Sequence, residues 1–331
     1  MNNLYYRLIK QSQREKLNIN KKTLLKIKKL YEEEGKRLAD KLKTANEIDK
    51  KYINSYMEYV DKELKELGKQ IEKLTKDGIT DTSQLMTNIN ANLFSYINNK
   101  YDLGIDPDIL ESLYKPNLNV VNKIIDGNLY NDNRSLSKRI WGYNKNNLNK
   151  IQDILTDGMI NKKPLQDVVS NLKAYTGGGD TKVEAIKRTY GQMNSNALRL
   201  VRTSLNHAFI ETMKDECRYN PFIEGYKWTL SSQHYIRQVK HHGPDICDDY
   251  AAHEEGLGTG VFRKENIQTP HPNCLCIILP YTTQSMDDVA ADISRWIHGE
   301  PNKKIDRWVN SRRWKYNVTN AVRYLKTPES K

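Results

Sequence analysis

All four cysteines of this 331-residue chain fall between Cys217 and Cys276. Three of them converge with one histidine on a proline-punctuated pattern: Pro244-Asp245-Ile246-Cys247-Asp248, then Pro270-His271-Pro272-Asn273-Cys274-Leu275-Cys276. Cys274 and Cys276 are one residue apart, and a disulfide between them is badly strained at that separation. Thiolates and an imidazole on a tight loop suit Zn²⁺, which takes four such ligands tetrahedrally. The set on offer is Cys247, His271, Cys274 and Cys276. Zinc ribbons and fingers mostly pair their cysteines with a wider gap than one residue. A second reading therefore stays open, that of reduced, half-buried thiols packed in a turned loop without metal. His242 and His253 are spare imidazoles that replace a ligand or stay solvated. Cys217, in a helical stretch, reads as a buried thiol.

The rest of the chain sets the charge. Lys+Arg number 53 against 41 Asp+Glu, a net charge of +12 that favours acidic partners. Between Met1 and Leu30 nine basic residues, with Lys21, Lys22, Lys28 and Lys29 among them, accompany Glu15 alone. Between Lys303 and Lys326 eight, including Arg312, Arg313 and Lys315, accompany Asp306 alone. Both basic ends are candidates for contact with double-stranded DNA, without sequence preference. No apolar run reaches the roughly 18 residues of a membrane-spanning helix. The N-terminus lacks the apolar core and small-residue cleavage site of a signal peptide. These absences and the few cysteines predict synthesis in a reducing cytoplasm.

Periodicity predicts a mainly α N-terminal part. Ile48, Tyr52, Tyr56, Val60, Leu64, Leu67, Ile71 and Leu74 step by four or three residues and build one apolar stripe, within a helical pattern from Lys21 that Asp77-Gly78 is expected to end. Further helices are expected over Ser83–Asn99, Ser135–Met159, Leu165–Tyr175 (with Pro164 in its first turn) and Asn196–Cys217. After Asn220-Pro221 the pattern changes to short strands at Gly225–Leu230, near Val261-Phe262 and at Ile277–Tyr281. The expected architecture is a helical N-terminal region followed by a small α+β module stapled by the Cys/His cluster. The boundaries are 1–80, basic and amphipathic; 81–180, a helical docking region; 181–285, the α+β module; and 286–331, a basic tail carrying Trp296, Trp308 and Trp314.

Four blocks, in order, resemble the Mu F-like phage minor head (head morphogenesis) proteins. They are Leu136-Ser137-Lys138-Arg139-Ile140-Trp141-Gly142; Leu198 through Arg202-Thr203 to His207; Trp228-Thr229-Leu230-Ser231 with His242 to Asp248; and Gly256-Leu257-Gly258 through to Cys276. They span about Leu136 to Pro280. Ser204 stands where many members carry an acidic residue, Leu275 replaces a frequent Arg, and residues 233–241 look like an insertion. The resemblance implies a minor capsid protein that binds the portal, and the major capsid or scaffolding protein, during procapsid assembly in the host cytoplasm. It implies a final place inside the head near the portal, and in some systems ejection with the DNA.

Enzymatic readings are weaker. His253-Glu254-Glu255 matches the H-x-E of zinc deaminases, but the cysteine pair here is C-x-C leading into a strand, where that chemistry needs P-C-x-x-C on a helix. Thr203, His207 and Glu211 share one face of a helix and invite a nuclease or transferase reading. The structural version makes Arg202, Thr203, His207 and Asp245 a polar cluster that locks the helix to the Cys loop, Arg202 pairing Asp245 or Asp248. The expected function is that of a non-enzymatic virion protein with structural Zn²⁺. The alternative is a virion-associated, zinc-dependent nuclease or deaminase acting on nucleic acid.

Overall fold

The computed structural model describes residues 2–115, 117–177 and 192–313. The chain runs α1 (Asn2–Lys43), α2 (Lys50–Tyr101), α3 (Pro107–Leu113), α4 (Leu118–Ile125), α5 (Leu136–Ile160), α6 (Leu165–Thr176) and α7 (Ser195–Cys217). Then follow β1 (Gly225–Thr229), a π-helical turn at Tyr235–Val239 continued by α8 (Lys240–His242), α9 (Ile246–Ala252), β2 (Val261–Arg263), β3 (Ile277–Tyr281), α10 (Met286–Ile297) and α11 (Lys303–Arg313). The fold is thus mainly helical, with one small antiparallel sheet late in the chain. No described helix is long and apolar enough to cross a membrane.

The predicted helix ends need correction at one place. Helix α2 continues through Asp77-Gly78 for 52 residues, and the break lies earlier, at 44–49. Asp49 makes that break an N-terminus, its carboxylate accepting the Tyr52 amide at 2.6 Å. Gly78 is there for space: a Cβ would lie 3.2 Å from both Leu205 Cδ1 and Thr23 Oγ1. Elsewhere local signals hold. Ser135 caps α5 by accepting the Lys138 amide, and Gly177, left-handed at φ 76°, closes α6 after Pro164 opens it.

The described chain forms two compact units, and α1, α2, α4 and α7 each contribute a segment to both. One unit comprises Ile19–Ile79 and Asn122–Leu205. Its core is the apolar stripe of the long helices: Ile27, Tyr31 and Leu38 from α1, with Tyr56, Val60, Leu64 and Ile71 from α2. Each such side chain taken out of water contributes about 1.5–3 kcal/mol. Two buried amides of α5 tie it to its neighbours, although Asn144 Oδ1 is itself left without a hydrogen bond. Asn144 donates to the Leu64 carbonyl at 2.6 Å, and Asn147 donates to the Met193 carbonyl while accepting from Tyr175 Oη.

The other unit comprises Met1–Asn18, Thr80–Val121 and Asn206–Lys331. Its sheet has the order β2-β1-β3, all antiparallel, with Tyr226 opposite both Phe262 and Pro280. Pro280, which has no amide to donate, sits on an edge strand where it breaks no central ladder. Tyr226 and Trp228 point into the core and Lys227 points out. The core is shared with helices: Met86, Leu93 and Phe94 of α2, and Phe209, Ile210 and Met213 of α7, belong to the same apolar cluster as Trp228, Cys247, Cys274 and Cys276. The strands and Cys loop therefore do not rely on a small core of their own.

The C-terminal stretch read as a basic tail is helical as far as Arg313, and its apolar face is buried. Ile305, Trp308 and Val309 join the core, the Trp308 ring centroid 4.6 Å from that of Phe94. Trp314 and Lys315 lie outside the described residues, as do residues 178–191 at the predicted start of the α+β module.

Gly260 links α9 to the sheet. Its φ is +72°, its amide donates to the His253 carbonyl and its carbonyl accepts from Trp228, both at 2.7 Å. A Cβ here would meet the Ala251 and Trp228 carbonyl oxygens at 2.9 and 3.0 Å. Gly260→Ala is expected to destabilise the protein by about 2 kcal/mol, from left-handed strain and the backbone clash together. A shift of the denaturant midpoint at unchanged slope checks it.

Candidate metal centre

The centre is assembled from two short devices. The first is the start of α9, where Asp245 accepts the Cys247 amide at 2.8 Å and Asp248 accepts the Asp245 amide at 2.8 Å. This capping box fixes Cys247 at the first turn with its thiol fully buried. The second is the turn His271-Pro272-Asn273-Cys274, closed by the Cys274 amide on the His271 carbonyl at 3.2 Å. Asn273 stands at φ 65°, the left-handed third position of a type II turn, which asparagine tolerates and a preceding proline favours. The turn aims Cys274 back at Cys247, and their sulfurs lie 3.6 Å apart.

Cys247, His271 and Cys274 form a group of three whose donor atoms all lie within 4.8 Å of one another, able to hold a metal ion. Cys276, the fourth member of the sequence set, is close by. Its amide donates to the Cys274 sulfur at 3.3 Å, and its thiol is in hydrogen-bonding range of Cys247. The three thiols share protons unequally. Hydrogen bonds from Cys247 and Cys274 hold Cys276 well below the ordinary thiol range, while hydrogen bonds to Cys274 and Cys276 push Cys247 up. A soft cation binding here would displace the thiol protons.

A second group, His234, Asp245 and Asp248, borders the first. His234 Nε2 lies 2.9 Å from Asp248 Oδ2 and 3.8 Å from Asp245 Oδ1, and His234 Nδ1 faces Cys276 Sγ at 4.0 Å. Asp245 Oδ2 also lies 3.5 Å from His271 Nε2. Sequence reasoning missed His234, because residues 233–241 read as an insertion. Its only signal was an imidazole a dozen residues before a capped cysteine. The imidazoles marked as spare stand elsewhere. His242 is exposed, and His253 stacks on Phe262 with ring centroids 4.0 Å apart and planes 6° from parallel. Glu254 accepts from the Gly258 amide and Thr259 Oγ1, and Glu255 from Asn266 Nδ2 and the Arg263 amide, so both carboxylates brace the loop into β2.

Helix α7 supplies a further shell. His207 Nε2 meets the Pro270 carbonyl at 2.9 Å, and burial lowers its pKa, keeping the ring neutral as the donor. Asn206 Nδ2 reaches the Cys274 carbonyl at 3.4 Å and its Oδ1 accepts from buried Lys16 Nζ at 3.0 Å. That ammonium also stands 4.8 Å over the Phe209 ring. Lys16 and Asn206 carried no sequence signal as partners, since 190 residues separate them. Thr203 donates to the Arg199 carbonyl at 2.9 Å; it and Arg202 belong to the other compact unit. Asp245 and Asp248 instead face the imidazoles of His234 and His271, at 2.9 Å for Asp248 to His234 and at 3.8 and 3.5 Å for Asp245 to His234 and His271.

Of the basic residues proposed for DNA, Lys21 and Lys22 are exposed on α1, whereas Lys28 and Lys29 pair with Glu32 and Glu33 at 3.5 and 3.6 Å. The exposed Lys29–Glu33 pair is worth little and opens readily, whereas Lys28–Glu32 is half-buried. Arg312 and Arg313 end α11. No known protein family, characterised protein or solved structure matches this chain.

Proposed function

We propose that the chain is a non-enzymatic minor head protein of a tailed phage whose sheet-bearing unit is stapled by one structural Zn²⁺. Three thiolates, Cys247, Cys274 and Cys276, and a histidine hold the ion. The convergence of Cys247, at the start of α9, with His271 and Cys274 of one turn carries this reading, because it joins the third and fourth of the blocks through which the chain resembles head morphogenesis proteins. The buried position of the cysteines suits a closed structural site rather than an open catalytic one. The long helices supply a surface for the portal and for the major capsid or scaffolding protein, and the basic α1 supplies nonspecific contact with packaged DNA. The protein is made in the host cytoplasm and ends inside the head near the portal.

Three measurements test it together. Purified protein is expected to carry about one zinc per chain by mass spectrometry, and to co-purify with the portal protein of the same phage on co-expression. Duplex DNA binding is expected to weaken with salt, and Lys21→Gln with Lys22→Gln to flatten the log–log salt slope by about 2, at about 0.9 per phosphate contact. Binding that ignores salt removes DNA from the account, and failure to co-purify with the portal removes the head assignment.

A further inference from the structure

We propose that His234, not His271, is the histidine ligand of the metal centre, with Asp248 as the residue that orients it. The inference rests on the reading that a metal is bound at the three cysteines, and it names the fourth donor.

The two imidazoles differ in place. His234 is 8% exposed, inside the wall of the cluster, whereas the His271 side chain is 36% exposed at its rim. Structural zinc sites are closed, and a buried imidazole closes this one. They differ also in how their nitrogens are engaged. His234 Nε2 lies 2.9 Å from Asp248 Oδ2, so Nε2 carries the proton and donates it to the carboxylate. The lone pair is then left on Nδ1, the nitrogen that faces Cys276 Sγ at 4.0 Å. A carboxylate on one imidazole nitrogen and metal on the other is the usual arrangement around zinc-bound histidine, where the carboxylate fixes tautomer and ring orientation. His271 Nδ1 is 2.9 Å from the Pro272 carbonyl of its own turn, so its Nε2 lone pair is open as well, facing Asp245 at 3.5 Å. What separates the two rings is burial and the orienting partner: a carboxylate already fixed in the capping box for His234, against a carbonyl one residue away in an exposed turn for His271.

Two donor pairs stand near the spacing of ligands on one ion. Two thiolates on a tetrahedral zinc at about 2.3 Å stand about 3.8 Å apart, and a thiolate and an imidazole about 3.6 Å. Cys247 and Cys274 are at 3.6 Å, and Cys276 and His234 at 4.0 Å, each within a few tenths of an ångström of those values. Asp248 serves twice, since the same Oδ2 that receives His234 accepts the Asp245 amide in the capping box that positions Cys247. One carboxylate thereby sets two of the four ligands, on segments 13 residues apart in sequence.

The test compares full-length His234→Ala, His271→Ala and His234→Cys. It reads zinc per chain, zinc affinity against a chromophoric chelator, and the visible spectrum of the cobalt-substituted protein. His234→Ala is expected to weaken zinc binding at least a hundredfold and His271→Ala less than fivefold. His234→Cys is expected to keep the ion and to gain a fourth sulfur-to-cobalt charge-transfer contribution, which also serves if the alanine variant fails to fold. Asp248→Asn is expected to weaken binding about tenfold to a hundredfold as an orienting partner. Zinc-replete wild type with His271→Ala as the damaging variant, or His234→Cys with an unchanged cobalt spectrum, overturns the assignment of His234 alone. Wild type without zinc overturns the metal reading itself.

Discussion

Cys274→Ala is expected to release the metal and lower the stability of the sheet-bearing unit by about 4 kcal/mol beyond the cost of the lost sulfur. Cys274 is buried, accepts the Cys276 amide and sits 3.6 Å from Cys247, so its removal opens the cluster at its middle. The magnitude follows from linkage: free metal at a thousandfold its dissociation constant stabilises the folded state by about 4.1 kcal/mol. For a chain of this size that is roughly 8–16 °C in Tm. The fold should survive, unlike a zinc finger, because the thiols belong to an apolar cluster that includes Trp228, Phe209 and Trp308. A chelator acting on wild type separates the metal's share from that of the sulfur. Chelated wild type and untreated wild type with the same melting curve and the same protease resistance between β1 and β3 would refute the staple.

Much of this architecture was legible because its signals are local. The stripe from Tyr56 to Ile71 announced a helix packed on one side, and Ser135, Pro164 and Gly177 marked ends through hydrogen bonds or dihedral freedom within one turn. The strands at Gly225 and Ile277 were visible as apolar runs bounded by turn residues. Asp77-Gly78 misled because the same dipeptide that terminates helices also permits close approach, and sequence alone does not tell a glycine needed for φ from one needed for space. Asp49 held the true break, as an N-cap without an apolar pattern to draw attention to it. At the candidate metal centre the cysteines stood out as potential ligands, since soft donors at close range suit a metal. His234 did not, because its place beside Asp248 and Cys276 depends on the turn that carries it back to them, and that path is tertiary. The tail was misread for a related reason. Lysine and arginine dominate its composition, yet Ile305, Trp308 and Val309 at helical spacing decide its fate.

Lys16→Met is expected to stabilise the protein at neutral pH and to lose that advantage as the pH rises. Burial lowers the Lys16 pKa to about 8, with the Cys274 sulfur pulling more weakly the other way. Below pH 8 the ammonium is charged in both the folded and the unfolded chain, and the folded state carries the full cost of holding it, on the order of 3 kcal/mol for a displacement from 10.5 to 8. Between pH 8 and 10.5 the unfolded chain binds the extra proton, so wild-type stability rises with pH relative to the variant. Above 10.5 both states are neutral and the cost is gone. Methionine keeps the hydrocarbon length of the stem but leaves Asn206 Oδ1 without its donor, a loss of about 1–3 kcal/mol that does not change across this window. The net gain at pH 7 is therefore small, about 1 kcal/mol. The decisive quantity is the difference between variant and wild type, measured by denaturant unfolding from pH 7 to 10.5, because the other lysines and tyrosines titrate alike in both. A fall of about 3 kcal/mol across that range would place an uncharged lysine in the folded core at high pH. A flat difference would mean that the ammonium keeps its proton inside the protein. In that case the thiolates behind Cys274 outweigh burial, and Lys16 acts as the counter-charge of the metal centre.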